Sequence, residues 1–156
     1  MSRARYTADS NRQRVPLRLA VPVWVLLGAS LFSGCATTEA DRAERTLADE
    51  WGVEIESVRL TAAEYMIDFR YKVLDAEKAL PILDRTIKPH LIVERTGVKL
   101  QVPISAKLGP LRQATTTPID GRIYFTFFAN PSRHVVVGDT VTVVVGDFVV
   151  ENLTVY

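Results

Sequence analysis

The chain has 156 residues, with 19 Lys and Arg, 18 Asp and Glu, and a formal net charge of +1 at pH 7. A near-neutral balance excludes a dedicated nucleic-acid binder, which needs a strong basic excess. One cysteine and two histidines leave little material for a disulfide framework or a transition-metal centre.

The charges at the start are one-sided: Arg3, Arg5, Arg12, Arg14 and Arg18 face only Asp9. Residues 19–32, LAVPVWVLLGASLF, then run without a charge, and Ser33, Gly34 and Cys35 follow. A basic n-region, a short apolar h-region and small residues before a cleavage point form a secretory signal peptide. The apolar run is shorter than the roughly 20 residues of a membrane-spanning helix, and Pro22 interrupts it.

Leu31-Phe32-Ser33-Gly34-Cys35 resembles the lipobox of bacterial lipoproteins, with Phe32 where that pattern usually has Leu. The resemblance implies cleavage between Gly34 and Cys35 and lipidation of the Cys35 thiol. It also implies acylation of the new amino group, and hence a membrane partner reached through the lipid. Ala36 in place of an aspartate implies passage to the outer membrane, with the exported domain in the periplasm. No cysteine follows Cys35, so the exported part forms no disulfide, and a lipid removes a reactive thiol from an oxidising compartment. Three acyl chains, at about 0.8 kcal/mol per buried methylene, make release negligible.

Residues 35–50 read as a lipidated N-terminus and tether. Thr38 and Asp41 form a helix-start pattern. Ala40, Ala43, Leu47 and Trp51 recur at helical spacing, on a stripe thin enough for either a marginal helix or a flexible stalk. Residues 51–156 form the domain. Residues 53–60 read as a strand whose apolar phase slips at Ser57, which a bulge would absorb. In residues 65–73, Tyr65, Ile67, Phe69, Tyr71 and Val73 lie on one face, with Asp68, Arg70 and Lys72 on the other. Residues 75–80 read as one helical turn, capped by Asp75 and limited by Pro81.

Strands follow at 90–94 and 98–104, at 122–129, and at 135–145 and 148–155, the last two joined by Gly146-Asp147. Seven strands in about a hundred residues predict an all-β protein, a single antiparallel β-sandwich. In strand number and spacing it resembles immunoglobulin-like and fibronectin-type sandwiches, and its wording resembles small bacterial lipoproteins. Ile67, Phe69, Tyr71, Ile123, Phe125, Phe127, Val141 and Val143 are the expected core. Tyr124 and Phe128 then fall on the outer face, where either residues 105–117 or a partner must cover them.

No reactive constellation stands out. His90 and His134 lie in separate segments, Glu54 and Glu56 read as a solvated strand face, and no G-x-S-x-G turn or Gly-rich phosphate loop occurs. No cofactor and no catalysis are expected.

Charge distribution is more informative. Residues 36–84 hold six basic and twelve acidic side chains, and residues 113–156 two and four. Residues 85–112 hold Arg85, Lys88, Arg95, Lys99, Lys107 and Arg112 against Glu94 alone. After cleavage at Cys35 the net charge is −6 + 5 − 2 = −3. If the six cations share a surface, it suits anionic lipid or an acidic envelope protein; otherwise the strands scatter them over both sheets. The expected role is a lipid-anchored, monomeric interaction or accessory module of the cell envelope. The alternatives are a small-ligand, glycan or lipid binder and, behind it, a cryptic enzyme. Cys35→Ala is expected to abolish incorporation of labelled palmitate and to leave the precursor in the membrane fraction. An unlabelled wild-type protein would contradict the lipobox reading.

Overall fold

The computed structural model describes residues 39–156. The signal segment 1–34, the Gly34–Cys35 junction and Thr38 lie outside the described residues. Alternating apolar residues in the middle of the chain build two antiparallel sheets. One contains β1 (Val53–Thr61), β2 (Met66–Val73) and β7 (Ile123–Ala129), in the order β1-β2-β7. The other contains β3 (His90–Val93), β4 (Lys99–Gln101), β8 (Thr140–Val145) and β9 (Phe148–Thr154), in the order β4-β3-β8-β9. Packed face to face, they make the all-β sandwich that the strand count implies. A two-stranded hairpin, β5 (Ile104–Ser105) and β6 (Gly109–Pro110), stands apart from both sheets. No helix among the described residues is long and apolar enough to cross a membrane.

The phase slip in β1 is a bulge. Ile55 pairs with Tyr71 and Ser57 with Arg70, so Glu56 is the extra residue and the apolar side chains keep facing inward. In β2, Ile67, Phe69, Tyr71 and Val73 are all buried, whereas Tyr65 lies before the strand and is 55% exposed.

The facing of β7 is opposite to expectation. Ile67 pairs with Phe128, Phe69 with Thr126 and Tyr71 with Tyr124, and directly paired residues share a face. Tyr124 and Phe128 are therefore core residues, 3% and 0% exposed, and not an outer surface. Ile123 is 47% exposed and Phe125 and Phe127 are half-buried on the outer face. Both faces of this strand carry aromatics, so alternation alone does not choose between them. The choice is made by Tyr71, which stacks on Tyr124 with ring centroids 6.2 Å apart. It is also made by the Tyr124 hydroxyl, which accepts the Ile119 N–H at 3.1 Å.

Three elements differ from the reading by more than one residue at a boundary. The expected strand 98–104 stops at Gln101, because Pro103 has no N–H to continue a ladder. The expected strand 135–145 starts only at Thr140; Val135 is held instead by Asn130. The fully buried Asn130 amide accepts the Val135 N–H at 3.0 Å and donates to the carbonyls of Glu64 and Val135. The helical turn continues through Pro81 as α2 (Ala76–Leu83), where buried Ile82 and Leu83 offset the lost backbone bond. Its first turn is capped as expected: the Asp75 carboxylate accepts the N–H groups of Glu77 and Lys78.

The segment read as a tether is part of the domain from Glu39 onward. Helix α1 (Glu39–Trp51) buries Leu47 and sets Trp51 edge-on against Phe148 at 5.6 Å. It ends at Gly52, whose φ is +61°. A β-carbon there would lie 2.7 Å from the Asp75 β-carbon and 2.8 Å from its carbonyl oxygen, so only glycine fits. The Gly52 carbonyl accepts the N–H groups of Leu74 and Asp75, and the Lys78 ammonium donates to the Asp49 carbonyl at 2.7 Å. These bonds fasten α1 to the junction of β2 and α2.

Phe128→Ala is expected to cost about 3–5 kcal/mol in denaturant unfolding, whereas Ile123→Ser changes stability by no more than about 0.5 kcal/mol. The reverse ranking would contradict the observed facing of β7.

Candidate functional site

The six cations of residues 85–112 do not form one surface. Arg95 sits in the β3–β4 turn and pairs with Asp139 at 3.2 Å, while also donating to the His134 carbonyl. Lys99 is exposed on β4, at the sheet edge. Arg85 and Lys88 share the loop after α2, and Lys107 occupies the turn between β5 and β6. Of the six, Arg85 and Arg112 meet across a cleft of about 350 Å³, which Leu108, Pro110 and Ala114 also line.

Arg112 clamps backbone from two other segments. Its guanidinium donates to the carbonyls of Ile87 at 2.7 Å, Ile82 at 2.9 Å and Asp84 at 3.2 Å. The Ile82 and Asp84 carbonyls belong to the C-terminal end of α2, where the helix dipole favours a cation. The planar fork of five N–H donors holds several carbonyls at once in a fixed geometry. Burial lowers the Arg112 pKa, and the neighbouring Tyr71 and Asp84 partly offset this. Its Nε is buried without a partner among the described residues.

The backbone around Arg112 is laid along the open edge of β7. The Phe127 N–H donates to the Leu111 carbonyl at 2.9 Å and the Gln113 N–H to the Phe125 carbonyl at 3.0 Å. Arg112 bridges to Thr126 in between. This strip covers an edge that would otherwise invite pairing with another chain.

On this strip stands the β5–β6 hairpin. The Leu111 N–H donates to the Pro103 carbonyl at 3.0 Å and closes its base. Ile104 pairs with Pro110 and Ser105 with Gly109, leaving Ala106, Lys107 and Leu108 as a three-residue loop. Gly109 supplies the positive φ of +73° that such a loop needs at its end. The Ser105 hydroxyl accepts the Leu108 N–H. Ile104 and Leu108 are 79% and 80% exposed, the highest values among the large hydrophobic side chains of the described residues. The sequence reading ran a strand through Ile104 and so missed this hairpin; Pro103, Gly109 and Pro110 were its signal.

A second concavity lies at the other side of the sandwich. Helix α1 and β9 bound an open groove of about 610 Å³, lined chiefly by Leu47, Val149 and Val150 with Arg42 and Glu151 at its margins. Among the described residues no group of three or more His, Cys, Asp or Glu is placed to hold a metal ion. The chain matches no family model, no curated protein and no solved structure.

Two carboxylates tie the sandwich together away from the hairpin. The bond from Arg95 and the Val136 N–H hold Asp139 below the usual carboxylate range, against a smaller cost of burial. Burial alone would raise Glu94, but the Asn152 N–H and the hydroxyls of Thr140 and Thr142 outweigh it and bring its pKa down. Glu94 thereby fixes a second bulge, where β9 turns through Asn152 at φ +58°. A depressed folded-state pKa means that the unfolded chain binds more protons, so stability falls with acid. The contribution of both groups is complete above the ordinary carboxylate range and is lost as pH drops through their lowered folded values. Asp139→Asn is expected to lower stability at pH 7 by about 1 kcal/mol or less and to have no effect at pH 2. An equal loss at both pH values, read from denaturant midpoints, would contradict the assignment.

Proposed function

We propose that this chain is a lipid-tethered envelope protein whose sandwich is an interaction module, with the β5–β6 hairpin as its docking element. The lipid on Cys35 holds the protein at a membrane, and the domain acts there by binding rather than by catalysis. The observation that carries this reading is the hairpin itself. Two large apolar side chains, 79% and 80% exposed, are held on a rigid base instead of being folded away. Exposing them costs solvation that a purely structural loop has no reason to incur; full burial of each is worth about 1.5–3 kcal/mol.

The cleft beside the hairpin is a weaker basis for small-ligand recognition. Both Nη groups of Arg112 are engaged with carbonyls, so Arg85 is the cation left to face a ligand. A pocket that specifies a ligand needs several converging polar groups.

Cross-linking in native membranes, followed by affinity purification of the intact lipoprotein, tests the reading. The wild-type chain is expected to yield discrete higher-mass adducts, and the double variant Ile104→Asp, Leu108→Asp to lose them while keeping its unfolding midpoint. Identical adducts from both proteins would remove the hairpin as the docking element.

A further inference from the structure

The hairpin and the α1–β9 groove occupy opposite edges of the sandwich. β7 and β1 are the two edges of one sheet, and β4 and β9 the two edges of the other. The hairpin leaves β4 and rests on β7, whereas α1 packs beside β1 and lines its groove with β9. We propose that the hairpin of one copy docks into the α1–β9 groove of the next, so that copies associate head to tail. This rests on the reading of the hairpin as a docking element and names its occupant as a second copy of this chain.

The two surfaces match in polarity. Ile104 and Leu108 present apolar side chains, and the groove presents Val149, 46% exposed, above a floor of the buried Leu47 and Val150. They also match in charge. Arg85, Lys88 and Lys107 are exposed at the hairpin edge, against the exposed Asp84, and the three cations take part in none of the three ion pairs among the described residues. The groove edge carries exposed Glu44, Asp49, Glu50, Glu54, Glu56 and Glu151, against Arg42, Arg45 and Arg59. Opposite charges on opposite edges favour a tail-to-head approach and oppose like edges meeting. β9 is an edge strand, with no strand neighbour on its outer side.

Surfaces that differ from one another make a heterologous contact, which adds copies in a row or closes them into a ring. A seven-residue hairpin buries less than the roughly 800 Å² per partner of a stable complex. The contact is therefore weak between free chains, and confinement at a membrane raises the effective concentration that it needs.

A photo-cross-linking amino acid in place of Leu108, in the full chain in native membranes, reads the occupant directly. The expected product has twice the chain mass and maps to α1 or β9. An adduct with a different protein, or with lipid alone, would overturn self-docking while leaving the hairpin as a contact element. The absence of any adduct would overturn both. A second experiment uses Leu108→Asp and Val149→Asp, each at an exposed position, with chemical cross-linking as the readout. Each variant alone is expected to lose dimers and longer species. Co-expressed, they retain one intact hairpin and one intact groove, and are expected to give dimers without trimers. Dimers from either variant alone, or no dimers from the mixture, would overturn the head-to-tail contact.

Discussion

The guanidinium of Arg112 is the point on which one half of the molecule depends. Three backbone carbonyls, from Ile82, Asp84 and Ile87, converge on it. Without a donor these carbonyls would be left at the end of a helix and in a tight loop, close to the buried phenol of Tyr71. A buried unpaired polar group costs about 1–3 kcal/mol, and the bonds to Ile82 and Ile87 are both part-buried. The bonds also fix where residues 111–113 run. That strip in turn closes the β7 edge and gives the β5–β6 hairpin a firm base.

The opposite edge is closed by a different device. Gly52 permits a turn that no other residue could make so close to Asp75, and α1 is thereby folded back with Leu47 and Trp51 against the sandwich. At the far end of β1, the Tyr156 backbone bonds to Val58 and Leu60. An open sandwich has four exposed strand edges, each a hazard for uncontrolled pairing. Here a strip of backbone covers β7, and a helix with the chain end covers β1. β9 remains an edge strand beside the α1 groove. What these closures leave uncovered is an exposed apolar hairpin on one side and the α1–β9 groove on the other.

Much of the sheet architecture was legible because burial imposes a period of two. Ile67, Phe69, Tyr71, Val141 and Val143 were read as core, and all are buried. The slip at Ser57 marked a bulge because it broke that period without breaking the apolar run. Legibility ended where the pattern was degenerate or where the partner was distant. Residues 123–128 carry apolar side chains on both faces, so only the pairing with β2 decides which face is inside. Arg112 looked like one more cation in a basic stretch, because its carbonyl partners are 25 to 30 residues away and backbone acceptors carry no sequence signature. Arg95 was likewise unreadable, since Asp139 is 44 positions distant. The helix through Pro81 and the attachment of α1 both depend on tertiary burial that overrides local propensity.

The account turns on whether Arg112 organises the hairpin edge, and amide hydrogen exchange on Arg112→Leu measures this most directly. The account predicts that the amides of Leu111, Gln113, Thr115 and Phe127 lose protection, while those of Phe69 in β2 and Val143 in β8 keep theirs. Arg112→Lys should show the same pattern, since a single ammonium lacks the planar fork that reaches three carbonyls. Unchanged protection along residues 111–115, or an equal loss throughout both sheets, would contradict it.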